Sequence, residues 1–496
     1  MVESRAEIDG KTVAVIGVKT LLAEVSPQTA DKTDTYVRGV AYRADSVAQG
    51  DVFFCVRGTV HDGHDFARQA VSRGAVALVA ERPLPGLEIP QYLVPDSRIA
   101  LARAAAAFWQ HPSASMKVFG ITGTNGKTTT TYLLDAILRA AGEKTGVIGT
   151  VETRIGDTRL PATRTTPESS DLQALLARMR DDGITSVAME VSSHAIDLHR
   201  VDAVVFAAVG LTNLTQDHLD YHHTMGEYAA VKRRLFTDFS VGARVIDVDD
   251  PFGAQLGEEF DGALTVGRHE SASVRAIDEL RFATGTEFTL VTPHGSARML
   301  LPLAGAYNVS NALMAAGCAL SIGIPLATVV AGLESAPQVP GRLERVDAGQ
   351  QFSVLVDYAH TPDSLEKAII AVKRVTKGRT IVVFGCGGDR DPAKRSLMGA
   401  VAGEHADISL VTSDNPRSED PLAIIAQVEL GLKGSSAWYE VEVDRRCAIA
   451  RAIGMALPDD SVLIAGKGHE DYQIFADKTV HFDDREVARE ELDARC

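Results

Sequence analysis

Gly120-Ile121-Thr122-Gly123-Thr124-Asn125-Gly126-Lys127-Thr128 decides how the rest of this 496-residue chain is read. The apolar run Lys117-Val118-Phe119 before it reads as a buried strand. Thr129 to Ala140 follows, with Leu133, Leu134, Ile137 and Leu138 at helical spacing. A strand, a glycine-rich loop ending in Gly-Lys-Thr and a helix form the order of a phosphate cradle. Glycines let backbone N–H groups approach a polyphosphate, and the helix N-terminus adds the positive end of its dipole. The lysine brings a point charge and the threonine a hydroxyl for Mg²⁺. The generic pattern puts its first glycine at the position of Ile121, so the match has one departure. The expectation is a protein that handles ATP or GTP.

A chain of this length is expected to form about two to four domains with ample core. Hydrophobic residues make up 45% and charged residues 23%, the balance of an ordinary globular protein. No apolar run approaches the roughly 20 residues of a membrane span, and Met1 to Lys11 lacks the apolar core of a signal peptide. The expected setting is the cytoplasm, with no membrane partner. Cys55, Cys318, Cys386, Cys447 and Cys496 are scattered without CxxC spacing and read as reduced thiols rather than a zinc site. The net charge of −16 argues against non-specific nucleic-acid binding but leaves room for anionic small substrates beside local arginines.

The first stretch reads as short strands and helices: Asp51–Val56 and Ala75–Ala80 as strands, His61-Asp-Gly-His64 as a polar turn, and Asp65–Arg73 as a helix. His111–Ser115 reads as a linker. From about 117 to 338, strand candidates Thr145–Ile148, Ser186–Met189, Ala203–Val209 and Ala243–Val248 alternate with helices such as Asp171–Arg180 and Met225–Phe239. That alternation predicts a mostly parallel sheet flanked by helices. Val274–Leu301 reads as β-hairpin material and Asn308–Leu320 as a helix. Beyond Gln338-Val-Pro-Gly341 the alternation resumes. Four strands there run into polar loops: Asp357-Tyr-Ala-His360, Gly385-Cys-Gly-Gly-Asp-Arg390, Ser413-Asp-Asn-Pro-Arg417 and Gly466-Lys-Gly-His-Glu470. Ligands of open parallel sheets sit at such carboxyl ends.

Two further stretches carry chemistry. Glu190-Val-Ser-Ser-His194 follows a strand, where an acid downstream of a phosphate loop commonly positions Mg²⁺. Its serines and histidine lack the Gly-x-Ser-x-Gly elbow of a hydrolase. Thr212-Asn-Leu-Thr-Gln-Asp-His218-Leu-Asp-Tyr-His222-His223 is dense in donors and acceptors. Lys232, within Val231-Lys-Arg-Arg234, reads on its own as part of a solvated helix face.

Taken in order, Gly123–Thr128, Glu190–His194, Thr212–His222, Gly305-x-x-Asn308-x-x-Asn311 and Asp357-Tyr-Ala-His360-x-Pro362 resemble the Mur ligases over roughly residues 110 to 480. Gly466–Asp471 and Gly385–Arg390 are similar to the branch that adds the third residue of the peptidoglycan stem peptide. The resemblance implies three α/β domains: 1–115 binding UDP, a central P-loop-type domain 116–338 binding ATP, and a Rossmann-like domain 339–496 binding the amino acid. It implies ATP phosphates on Gly123, Thr124, Asn125, Gly126, Lys127, Thr128 and Thr129, with Asn308, Asn311, Arg342 and Asp357 as further nucleotide contacts. One Mg²⁺ is implied near Thr128 and Glu190. A second is implied near His218 and Lys232, the lysine carrying a CO₂-derived carbamate. Lys127, Glu190, His218, Lys232 and Arg342 are the implied catalytic set. Ser46, Thr165, Thr166, Ser192 and Arg200 are the implied contacts of the UDP-muramoyl dipeptide. Many members carry Asp-Ser-Arg before the Val-x-x-Gly-Asp stretch, whereas this chain has Arg43-Ala44-Asp45, so the uridine contacts depart from the family pattern.

Arg390, Asp414, Asn415, Arg417, Gly466 and Glu470 are the implied amino-acid pocket. Arg417 suits a diamino acid with an extra carboxylate, because a guanidinium grips a carboxylate bidentately and repels a terminal ammonium; Glu470 would take the distal ammonium. The implied reaction is ADP-forming addition of meso-diaminopimelate to UDP-N-acetylmuramoyl-L-alanyl-D-glutamate through an acyl phosphate, by a monomer. L-Lysine or L-ornithine as the amine, a folylpolyglutamate-type ligase and a P-loop switch NTPase are the alternatives.

Overall fold

The computed structural model describes residues 4–8, 11–25, 35–58, 60–162, 164–282, 284–435 and 437–495; Cys496 lies outside them. The chain divides into two compact units. The first comprises 1–122, 143–209 and 231–243, and the second 123–142, 210–230 and 244–496.

In the first unit, Gly39–Ala41, Asp51–Phe54, Ala77–Ala80 and Gln91–Leu93 form a parallel sheet in that order. Both faces are covered, which is why Asp51–Val56 is a continuous apolar run rather than an alternating one. Val52 and Phe54 pack with Ala100, Leu101 and Ala104 of helix Ser97–Phe108. Phe53 and Leu78 pack with Ala67 and Ala70 of helix Ala67–Ser72. Further on, Ser186–Glu190 lies parallel between Thr145–Ile148 and Lys117–Thr122. The register sets Glu190 beside Ile121. His111–Ser115 is not a loose linker. Pro112–Ser115 is a 3₁₀ turn with Pro112 and Ser113 buried, and the Ser113 hydroxyl accepts the Val205 N–H. The expected strand Ala203–Val209 begins only at Phe206.

In the second unit, helix Lys127–Ala140 packs on helices Ala306–Ser321 and Leu326–Glu334. Contact at Gly332 is so close that a Cβ there would stand 2.5 Å from the Ile137 Cα. Val274–Phe282, Gly285–Thr292 and Gly295–Leu301 form the expected antiparallel meander. The C-terminal sheet runs Glu344–Arg345, Ser353–Asp357, Ser461–Ala465, Thr380–Phe384, Ile408–Val411, Trp438–Val441, parallel except for its first, two-residue strand. Helices Pro362–Lys373, Ala393–His405 and Pro421–Leu432 cover one face, and Arg445–Met455 with Asp484–Arg495 cover the other. Strand order departs from chain order where Ser461–Ala465 inserts beside Ser353–Asp357. All four polar loops issue from carboxyl ends around that switch point.

One buried ion pair ties this layer together. Arg445 meets Asp484 through two hydrogen bonds of 2.7 Å, and neither side chain is exposed. Arg445 also donates to the Ala465 carbonyl. Asp484→Ala strands the guanidinium, and the expected loss is about 3–5 kcal/mol in a urea melt followed by circular dichroism. Replacing both partners with apolar residues is expected to cost much less, and equal costs would count against this account.

Candidate functional site

The loop after strand Lys117–Thr122 is built around two glycines with positive φ, Gly123 at 143° and Gly126 at 89°. A Cβ at Gly123 would meet the Thr212 hydroxyl, and one at Gly126 would stand 2.2 Å from Asn311 Oδ1. Ile121 is fully buried within the strand, so the departure from the generic pattern falls on core, and the loop begins at Gly123. Segment Thr212–Thr215 grips the loop. Asn125 N–H donates to Asn213 Oδ1, while the Asn125 carbonyl accepts from the Thr212 hydroxyl at 2.6 Å and the Asn213 amide at 3.0 Å. Asn125 Nδ2 donates to Asp363, in the first turn of the helix that Thr361 and Ser364 cap reciprocally. Lys127 Nζ folds over the loop, donating to the carbonyls of Gly123 and Thr124. Thr128 and Thr129 are buried at the helix start.

A cavity of about 580 Å³ opens beside this loop, and residues far along the chain line it. Asn311 Nδ2 donates to Asn308 Oδ1, and Asn308 in turn donates to the Ala304 carbonyl. Arg342 stacks 4.7 Å over the Tyr358 ring and donates to the Thr128 hydroxyl at 3.1 Å. Asp357 accepts the N–H groups of Leu343 and Ala359. Burial raises its pKa, and Arg342 opposes the rise. His360 Nδ1 sits 2.8 Å from the Tyr358 carbonyl, so that nitrogen is the donor. Burial and Lys394 hold its pKa below the ordinary value, and Asp217 opposes them. Burial pushes Asp217 upward, but His218 and His360 outweigh it and leave the carboxyl below its usual range. Asp247, also on the cavity wall, is raised by burial and by Asp249 and Asp250 to about 7.

A second group gathers within the first unit. Glu190 is 1% exposed and accepts from the Thr150 N–H and hydroxyl. Thr150 also bonds Thr165, while Thr166 donates to the Glu190 carbonyl and accepts the Ser192 N–H. Arg200 donates to the Thr166 carbonyl and pairs with Glu168 at 3.4 Å. Thr165, Thr166, Ser192 and Arg200 are therefore neighbours, whereas Ser46 is exposed on the turn Ala44–Ser46 and donates to the Arg43 carbonyl. Lys232 is not on a solvated face. It is 1% exposed with Nζ 3.5 Å from the Thr122 hydroxyl, because its face of helix Met225–Thr237 turns inward. Glu190 and Lys232 belong to the first unit and Thr128 and His218 to the second; His218, at φ 54°, is paired with Asp217.

The third group lies at the C-terminal switch point. Asn415 Nδ2 donates to Glu470 Oε2 at 2.9 Å, and the Tyr358 hydroxyl donates to Glu470 Oε1 at 3.4 Å. Gly466, at φ 119°, lies so close to Asp414 that a Cβ would stand 2.6 Å from Oδ2. Arg417 donates to the Gly388 carbonyl, joining the two loops, and Arg390 is exposed on a cleft with Asp220, Asp389 and Asp391. Burial and Asp414 raise the Glu470 pKa. The sequence reading passed over Asp363 and Lys467 as functional groups. Lys467 stands inside a quoted motif, while Asp363 carries no local signal beyond following Pro362.

Fold and site define a multidomain α/β protein of the phosphate-loop class. Its residues 121–319 match the Mur ligase middle domain, 341–468 the Mur ligase glutamate ligase domain, and 36–109 the catalytic domain of the Mur ligase family. The UDP-N-acetylmuramoyl-L-alanyl-D-glutamate--2,6-diaminopimelate ligase of Geobacillus kaustophilus is 49% identical over 91% of this chain and 94% of its own length. The like-named protein of Caldanaerobacter subterraneus is 43% identical over 95% and 98%. A solved structure of such a ligase superposes with a TM-score of 0.69 at 30% identity, covering 97% of this chain and 99% of that one. Folylpolyglutamate synthase of Mycobacterium tuberculosis, at 19% identity, TM-score 0.61 and coverage of 75% and 92%, shares the fold. This chain belongs to the Mur ligase family, and it is a ligase.

Proposed function

We propose that the protein joins meso-diaminopimelate to UDP-N-acetylmuramoyl-L-alanyl-D-glutamate with conversion of ATP to ADP and phosphate, in peptidoglycan precursor synthesis. The observation that carries this reading is the single cavity shared by the phosphate loop, Asn311, Arg342 and Asp357. The names of the relatives supply the substrates. In the proposed mechanism the γ-carboxylate of the D-glutamyl residue attacks the γ-phosphorus and ADP leaves. The amine of the diamino acid then attacks the acyl phosphate, loses a proton, and inorganic phosphate departs. Lys127 and Arg342 stabilise charge on the transferred phosphoryl group, and Asp357 receives a ribose hydroxyl. Thr165, Thr166, Ser192 and Arg200 hold the dipeptide, with Ser46 toward the nucleotide sugar.

In this reading Thr128 and Glu190 would supply hard oxygens to one Mg²⁺, and His218 and Lys232 would hold a second. Lys232 becomes an oxygen donor only as its carbamate. The ions, when bound, neutralise phosphate charge. The reading includes three domains divided near 115 and 338, a monomer, and a cytoplasmic site of action.

Arg417 grips the distal carboxylate of the diamino acid, and Glu470 its ammonium. Initial rates with meso-diaminopimelate are therefore expected to exceed those with L-lysine or L-ornithine. Arg417→Ala is expected to raise the diaminopimelate KM by about 10- to 100-fold, the worth of a charge-assisted pair. Faster turnover of lysine by the unmodified protein would refute the specificity. Phosphate release without both acceptor and diamino acid would refute the ligation itself.

A further inference from the structure

We propose that Lys467 is the positioning residue of the diamino-acid pocket: it fixes the Asn415 amide, which in turn aims Glu470 at the substrate ammonium. The proposal rests on the amino-acid pocket assigned above. Lys467 lies in the loop after strand Ser461–Ala465, and its side chain is fully buried. The flanking glycines drive it inward. Gly466 presses on Asp414, and Gly468, at φ 55°, leaves only 2.6 Å between an added Cβ and the Tyr358 Cβ. No larger residue fits at either position without moving the loop.

Lys467 Nζ donates to Asn415 Oδ1 at 2.9 Å and to the Tyr472 carbonyl at 2.6 Å. Ile474 N–H donates to the same Oδ1 at 3.0 Å. Two donors on that atom settle which end of the amide is oxygen, so the NH₂ end faces Glu470 Oε2. The ammonium itself stands 3.9 Å from Glu470 Oε2.

The charges around the pocket explain why a cation is needed there. Asp414 is buried and Glu470 partly so, and burial together with Asp414 raises the Glu470 pKa. Lys467 opposes that rise most, followed by Asn415 and Arg417, which also donates to Gly388, while Arg445 is committed to Asp484. Tyr358 and Tyr472 are the other titratable groups facing Glu470, and burial raises both. Burial lowers Lys467, while Asp414 and Glu470 act to keep it charged. Without that charge Glu470 takes up a proton at higher pH and loses its attraction for an ammonium.

The test uses the full-length protein, with each of the three substrates varied in turn across the neutral to alkaline range. Lys467→Met is expected to raise the meso-diaminopimelate KM by about tenfold or more, the worth of a hydrogen bond to a charged group. The ATP KM and the saturated kcat should change little. The pH below which the diaminopimelate KM climbs should move upward. Asn415→Asp, nearly isosteric and able to pair with Lys467, sets a carboxylate oxygen against Glu470 and should shift the same profile in the same direction; it carries the test if Lys467→Met does not fold. Normal ligation by the unmodified protein with an unchanged diaminopimelate KM and profile in the variants would overturn the positioning role alone. An equal rise in all three KM values with a lowered Tm would overturn it too, by marking a structural role. An unmodified protein that uses no diamino acid would overturn both this proposal and the reading beneath it.

Discussion

Lys127→Ala is expected to lower kcat for ligation by about 10²–10³-fold, the scale set by removing one donor aimed at developing charge. The side chain already lies across the phosphate loop, bonded to the Gly123 and Thr124 carbonyls. A triphosphate oxygen is a far stronger acceptor than either carbonyl, so the ammonium is poised to transfer to it. The loop's shape has supports besides this side chain. It is held by Thr212, Asn213 and Asp363 acting on Asn125. The variant should therefore keep its circular dichroism spectrum and melting temperature while phosphate release, measured by a coupled assay with all substrates present, collapses. Turnover near the unmodified rate would remove Lys127 from the mechanism. An equal fall in stability would show that the lysine braces the loop instead.

The second large effect concerns Lys232. On the proposed carbamylation, Lys232→Ala is expected to cost about 10²–10³-fold in kcat, with partial recovery on adding formate or acetate in place of a carboxylate-like oxygen. Lys232 is 1% exposed, with Nζ 3.5 Å from the Thr122 hydroxyl. Carbamylation turns the cation into an oxygen donor suited to a hard metal ion. Isotope-labelled CO₂ should be incorporated at this residue in the unmodified protein and not in the variant. Full activity without Lys232, or absence of label, would remove the carbamate from the account.

Much of the architecture was legible because it depends on short-range pattern. The meander Val274–Leu301, the helix Ala306–Ser321 and the four strand-to-loop junctions of the C-terminal sheet follow from periodicity and turn residues alone. Misreadings arose where local polarity and three-dimensional setting disagree. His111–Ser115 has linker composition, yet its proline and Ser113 are packed away. Lys232 sits in a basic run, yet its own position faces inward while Arg233 on the same helix is exposed. A run of charged residues carries no information about which member meets a core built from elsewhere.

The sequence by itself pointed to the phosphate cradle, because its glycines, helix start and lysine all lie within nine consecutive residues. Family membership was equally legible in the ordered motifs. Only the tertiary structure decided what those motifs do to one another. Arg342 reaches the Thr128 hydroxyl across 214 positions of sequence, and Asp363 reaches Asn125 across 238. Lys467 and Asn415, 52 positions apart, meet only because strand Ser461–Ala465 inserts at the switch point of the sheet. Burial, hydrogen-bond partner and protonation state are set by neighbours that chain order does not make adjacent, and so they had to be read from the fold.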